Sequence, residues 1–237
     1  MLSDKPLLTK FYAVKYWPVW LGLSCLRIII ILPWAWRMKM GRAIGRLLYQ
    51  LSARRRLIAE TNVGLCFGHL TASEQRYMIR QTFADNGIGI VETAMAWWSA
   101  RDDLHHRVSI EGGPLIEQAQ AQGRGVILVG AHFTSLDLGG ILLAPGYPYY
   151  ATYQRHSNAL MDAIIRHGRL KHLPGILERE DIRQVMRLLK QGEIVWLAPD
   201  QDVGPERSVF APFFGIEAAT TPIISRLAAA TGAKVLQ

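Results

Sequence analysis

The sequence predicts an α/β fold: a largely parallel sheet flanked by helices, preceded by an N-terminal membrane-anchoring helix and a helical segment. Three observations carry that expectation. From Val108 onward, short apolar runs alternate with amphipathic stretches of helical length, the pattern of strands joined by crossover helices. The run VILV at 126–129 is wholly apolar, as a parallel strand covered on both faces should be. The run Trp17 to Trp36 is apolar enough, and at 20 residues about 30 Å long as a helix, to reach across a bilayer core. The chain therefore divides into a hydrophobic anchor at 1–40, an amphipathic helical segment at 41–104 and an α/β core at 105–237.

Composition bounds the function. The 237 residues are enough for one domain with a substantial core. Half are hydrophobic, mean hydropathy is +0.11 and net charge is +8, and the charge is unevenly placed. From Lys5 to Ala59 there are eleven Lys and Arg and no acidic residue. Such a block suits nucleic acid or an anionic membrane surface, and the apolar run inside it decides for membrane and against nucleic acid. Trp17, Trp20, Trp34 and Trp36 stand where interfacial belts form. Arg27 in the middle of the run costs roughly 3 kcal/mol in a span, so a shallow interfacial anchor competes with a crossing helix. Seven basic residues between Arg37 and Arg56 would face anionic cytoplasmic headgroups. Cys25 and Cys66 are too few for a disulfide framework and fit a reducing compartment.

The elements follow in order. Ile44, Leu47, Leu48 and Leu51 recur at helical spacing within 41–60. Thr71 and Glu74 form a capping-box pattern opening a helix to about Ala84, with Gly87 and Gly89 interrupting it before the apolar stretch to Trp98. The charged segment 101–107 leads into the core. There the pattern reads as a strand from Val108, helix 114–122, strand 125–130, helix 135–144, strand 149–153 and helix 158–170. Helix 180–191, strand 194–198, a loop and helix 219–231 complete it. The final TGAKVLQ reads as the opening of another strand.

Chemistry concentrates in GRGVILVGAHFTSLDLGG at 123–140. His132 stands at a strand exit and Asp137 five residues on, a base with a carboxylate partner. On one continuous helix the two would lie about 140° apart. They meet only if His132 stays in the loop while Thr134 or Ser135 caps a helix carrying Asp137 in its first turn. The helix-end N–H groups would then face an oxyanion or phosphate. Further on, Arg155 and Asn158 follow a strand, and a guanidinium fork suits phosphate; pairing with Asp162 is the plain alternative. Asp200 and Asp202 lie at another strand exit, with Arg207 close behind. Hydrogen-bonding or loop-ordering work suits Asp200 better than metal binding, since no further ligand set accompanies it. Phe210, Phe213 and Phe214 form an apolar patch that serves either core packing or a hydrocarbon pocket. His156, His167 and His172 show no metal-ligand spacing.

AHFTSLD matches the His-x4-Asp/Glu signature of glycerolipid acyltransferases, and its surroundings resemble the lipid A late acyltransferases, closest to the lauroyltransferase branch. The resemblance runs through KYWPVWLGL, the RRR…N…LCF block at 54–67, VETAMAWW at 91–98, YQRHSNALMDAIIRHGR at 153–169 and WLAPDQDVGPERSVFAPFFG at 196–215. It implies an enzyme that passes a lauroyl or similar acyl group from acyl carrier protein, its co-substrate, to a hydroxyl of a Kdo-lipid A precursor in lipopolysaccharide biosynthesis. No cofactor or metal is implied. His132 and Asp137 would be catalytic, and Arg155, Asn158, Asp200 and Arg207 would bind substrate. Acyl carrier protein, the lipid A precursor and anionic inner-membrane lipids would be the partners, with the catalytic domain on the cytoplasmic side of the bacterial inner membrane. Members of that family usually continue for several more elements, so the core is expected to be truncated at its C-terminus. A glycerol-phosphate or lysophospholipid acyltransferase would share the His-x4-Asp chemistry, and a non-catalytic membrane-bound lipid-binding protein is the rival of another class. The blocks at 54–67 and 196–215 favour the lipid A branch, and the intact His132/Asp137 pair argues for catalysis.

Overall fold

The computed structural model describes residues 9–99, 104 and 108–237. Two short 3-10 turns lead into α1 (Trp17–Ile29), α2 (Trp34–Leu51), α3 (Ala53–Cys66) and α4 (Ala72–Trp98). The core then runs α5 (Gly113–Ala121), β1 (Val126–Val129), α6 (Leu136–Leu143), β2 (Tyr150–Tyr153) and α7 (Ala159–Leu170). It continues β3 (Gly175–Glu178), α8 (Ile182–Lys190), β4 (Ile194–Leu197), β5 (Val209–Phe213), β6 (Ile216–Thr220), α9 (Ile223–Thr231) and β7 (Lys234–Leu236).

The predicted α/β class holds. Five strands form one parallel sheet in the order β3-β2-β4-β1-β7. The two-residue period of the strands sorts their side chains into two cores. Ile127, Val195 and Leu197 face α8 and α9, packing with Val185, Leu189 and Leu227. Val126, Ile194 and Ala151 face the other way, against Ile116 and Ala119 of α5 and the end of α6. A third apolar layer joins Leu23 of α1, Val91, Ala94 and Met95 of α4, and Leu138 and Ile141 of α6.

The apolar run Trp17–Trp36 is not one helix. Pro33 disfavours helical backbone at the residue before it, so α1 stops after 13 residues and α2 starts at Trp34. Among the described residues no helix is long and apolar enough to cross a membrane. Arg27 has a structural use: its guanidinium donates to the Trp98 carbonyl at the end of α4 (3.3 Å) and lies over the Trp98 ring. A cation there also suits the negative end of the helix dipole. The inner side of α1 is buried on α4, while Trp17, Leu21 and Ile28 form an outer apolar stripe open to the surroundings.

Other expectations are corrected. The helix expected at 41–60 is two helices that break at Ser52. The Thr71 capping box forms as predicted, but Gly87 and Gly89 do not interrupt the helix. They are places where backbones touch. A Cβ on Gly87 would lie 2.1 Å from the Gly41 carbonyl oxygen, and one on Gly45 2.1 Å from that of Phe83. α2 and α4 thus pack antiparallel at near backbone contact, which only glycine permits. The strand expected from Val108 is absent, because no sheet edge pairs with it. The segment at 101–107, apart from Leu104, lies outside the described residues. β3 was not foreseen, and the expected loop after β4 holds the separate antiparallel hairpin β5–β6. Its turn, Phe214–Gly215, has positive φ at both residues, as a tight hairpin demands. Phe210, Phe213 and Phe214 are more than half exposed there, so the aromatic patch is neither core nor the wall of an enclosed pocket. The final residues do form the predicted strand, β7.

The glycine contact makes a direct prediction. Gly45→Ala should cost about 1–3 kcal/mol, because a rigid carbonyl rather than a flexible side chain stands in the way. In thermal unfolding that is a loss of roughly 2–12 °C. Gly64→Ala, in an exposed helix with nothing within 4 Å of the new Cβ, should instead raise stability by up to about 1 kcal/mol. Equal melting temperatures for the two variants would rule out backbone contact as the reason for glycine at position 45.

Candidate active site

The site lies at the C-terminal ends of adjacent parallel strands. β1 and β4 pair with Val129 opposite Leu197. His132 stands three residues past Val129 and Asp200 three residues past Leu197, so the register delivers both to one level above the sheet. The Nδ1 atom of His132 lies 2.7 Å from Asp200 Oδ1, and the His132 backbone N–H donates to Oδ2 at 2.8 Å. One carboxylate therefore grips both the ring and the main chain of the same residue. The two side chains are 46% and 37% exposed, open enough for a substrate to reach the ring. Partial burial would raise the Asp200 carboxyl, but the hydrogen bonds from His132 outweigh it and hold the group below its ordinary range. Asp200 is thus ionised at neutral pH, and with Nδ1–H bonded to it the ring's Nε2 is left as the basic atom.

The partner expected from spacing alone is a different residue. Asp137, in the first turn of α6, is bonded through Oδ1 to Nε (2.8 Å) and the terminal nitrogen (2.7 Å) of Arg169 on α7. Both side chains are largely buried, at 13% and 16% exposed. His132 and Asp137 are thus each engaged, but not with each other. The local reason is the chain path: His132 stays in the loop, as expected, and the helix beginning at Leu136 turns Asp137 toward α7. Ser135 is the helix N-cap, yet its side chain makes no capping hydrogen bond, so the expected Ser or Thr cap is absent. The turn is held from below. A Cβ on Gly89 of α4 would meet the Thr134 carbonyl oxygen at 2.6 Å.

The remaining candidates sit along the same sheet edge. Arg155, just past β2, pairs with Glu178 at the end of β3 (2.7 and 2.6 Å) rather than with Asp162. Asp162 instead accepts from the Tyr153 hydroxyl and the His156 backbone N–H. Asn158 caps α7, its carbonyl oxygen accepting from the N–H groups of Leu160 and Met161. Arg207 closes a 3-10 turn and is close enough to Glu180 to help stabilise that carboxylate, whose main support is the Arg179 side chain. Asp202 accepts from the Gly204 N–H within its own loop. Arg166 and Arg169 read in the sequence only as weaker candidates than Arg155 for a phosphate or carrier contact, since a spacing of three on a helix is equally an exposed face; that Arg169 pairs with Asp137, 32 residues away on another helix, has no local signal.

A histidine base oriented by a carboxylate, beside an open strand-end turn, can take a proton from a hydroxyl and return it to a leaving group. The chain is 38% identical over 225 residues to the lipid A biosynthesis palmitoleoyltransferase of Escherichia coli K12, covering 93% of this chain and 74% of that protein. It is 37% identical over 220 residues to the lipid A biosynthesis lauroyltransferase of the same organism (92% and 72% covered). To the lipid A biosynthesis myristoyltransferase it is 28% identical over 228 residues (94% and 69% covered). The family described as bacterial lipid A biosynthesis acyltransferase matches residues 5–237, the whole of the described fold. The chain belongs to the bacterial lipid A biosynthesis acyltransferase family.

Proposed function

We propose that this protein transfers a fatty acyl group from an acyl carrier protein thioester to a hydroxyl of a lipid A precursor. Acyl transfer in lipid A biosynthesis follows from its family. The single observation that carries the mechanism is the His132–Asp200 pair at the ends of β1 and β4. In the proposed reaction Nε2 of His132 takes the acceptor hydroxyl proton as that oxygen attacks the thioester carbonyl. Asp200 fixes the tautomer and stabilises the imidazolium, as orienting carboxylates do. The tetrahedral adduct then collapses, the C–S bond breaks, and the imidazolium proton passes to the departing thiolate. The uncapped N–H groups where α6 begins are suited to the oxyanion. Asp137 works through Arg169, fixing the turn rather than the ring.

Acceptor phosphate is assigned to Arg155 and Arg207, with the Asn158 amide N–H groups alongside. Arg155 is reachable at the sheet edge, and a fork already paired with Glu178 can exchange one anion for another. The site for membrane attachment is the outer stripe of α1 with Trp36, flanked by Lys15, Lys39 and the arginines of α2. This arrangement suits a helix lying in the anionic cytoplasmic surface of the inner membrane rather than a span.

Three measurements test the proposal. His132→Ala should abolish transfer, and Asp200→Asn should lower kcat by about 10² or more with little change in melting temperature. Asp137→Asn should chiefly destabilise, by about 3–5 kcal/mol, because it strands a buried guanidinium. A larger kcat loss for a well-folded Asp137→Asn than for Asp200→Asn would reverse the two roles.

For the acceptor, Arg155→Lys keeps the charge but loses the fork, so it should raise the KM for the lipid acceptor more than that for the acyl donor. A dephosphorylated acceptor should shrink the gap between wild type and variant. Equal rises in both KM values would move Arg155 to the carrier-protein contact.

Attachment is best tested by substitution, since deleting α1 would remove Leu23 and Ile29 from the core. Trp17→Ser, Leu21→Ser and Ile28→Ser together should weaken sedimentation with anionic vesicles and leave the residual binding salt-sensitive. Undiminished binding at high salt would place the lipid contact elsewhere.

A further inference from the structure

A cavity of about 260 Å³ opens beneath the catalytic turn, between α6 and the sheet. Its mouth is formed by Gly130, Ala131 and the exposed Phe133, which bracket His132. Its far wall includes Tyr149, Ala151 and Leu173, which are 5%, 5% and 7% exposed and belong to the core on that side of the sheet. Trp196 forms one side and occupies space that a Cβ on Gly130 would need. The charged groups in the wall, Asp137 and Arg169, are bonded to each other, and most of the remaining lining is carbon.

We propose that this cavity receives the hydrocarbon chain of the acyl donor, and that Ala151 and Leu173 at its buried end set the chain length the enzyme accepts. The inference rests on the acyl-transfer reading of His132. A thioester carbonyl held beside that ring has its chain attached at the same carbon, and this largely apolar cavity opens next to the turn. The volume falls below the roughly 300–1,000 Å³ of pockets that take drug-sized ligands, so it suits part of one slender chain. Selection follows from packing, since one methylene too many or too few in an apolar pocket changes kcat/KM by about 10–200-fold. Ala151 faces Trp196 across the β2–β4 pair, and a larger side chain there would reach into the cavity. Shortening Leu173 would lengthen it.

The test is a ladder of saturated acyl carrier protein thioesters that grow by even steps, measured on the full chain with one fixed lipid A precursor. Ala151→Leu should move the kcat/KM optimum to shorter donors and Leu173→Ala to longer ones, with ratios between neighbouring donors shifting by about 10-fold or more. Leu173→Ala decides the matter alone should Ala151→Leu fail to fold. An unmoved optimum in a folded, active Leu173→Ala enzyme overturns the proposal. The ladder is then repeated with a precursor whose own acyl chains are shortened; variant effects that appear only with that acceptor also overturn the proposal, because they assign the cavity to the acceptor. Activity surviving His132→Ala breaks the mechanism instead and leaves the donor ladder intact, so the two failures are told apart.

Discussion

The parallel register of β1 against β4 is the constraint from which the site follows. Neither strand exit holds both partners of the pair: one supplies an imidazole, the other a carboxylate 68 residues later. Pairing Val129 with Leu197 makes the equal three-residue overhangs meet. A one-residue slip of either strand would swap the side chains it presents to the two cores and part the two groups at once, so the packing that buries Val195 and Ile127 also holds His132 against Asp200. Because both strands are interior to the sheet, that register is defended from both sides.

Much of this was legible in the sequence. Alternating apolar and amphipathic runs gave the parallel sheet, and VILV followed by a polar turn located the strand exit. The Thr71–Glu74 box marked the start of α4 to the residue. What stayed hidden were relations between distant positions. Nothing local to His132 reveals that its partner is Asp200, since sequence spacing ranks Asp137 first. Nor does a local pattern reveal Arg169, which draws Asp137 away. Gly87 and Gly89 read as helix breakers because propensity counts only their own backbone entropy, whereas their role depends on Gly41 and Thr134 across an interface. β3 escaped because GILE is too short and mixed to stand out. The β5–β6 hairpin escaped because its aromatic residues carry no polar alternation.

The two ion pairs at the site divide along a physical line. His132–Asp200 is solvent-accessible, so its value lies in orientation more than in stability. Asp137–Arg169 is enclosed, where one carboxylate oxygen, hydrogen-bonded by Nε and ion-paired with the terminal nitrogen, ties α6 to α7 and removal of either partner would be costly. A motif that presents both residues within six positions thus feeds two different pairs, one open to solvent and one that ties two helices together.

α4 connects these purposes to the surface of the molecule. At 27 residues it is a rod of about 40 Å. Arg27 fastens α1 to its C-terminal end, and its Gly89 bears directly on Thr134 in the catalytic turn. Whatever surface the outer stripe of α1 rests on, the His132–Asp200 pair therefore stands at a set distance from it. The last third of the helix acts as a spacer, with Gly89 and Trp98 about 14 Å apart along it, so the distance from α1 to the turn is fixed by one rigid element rather than by the play of a linker.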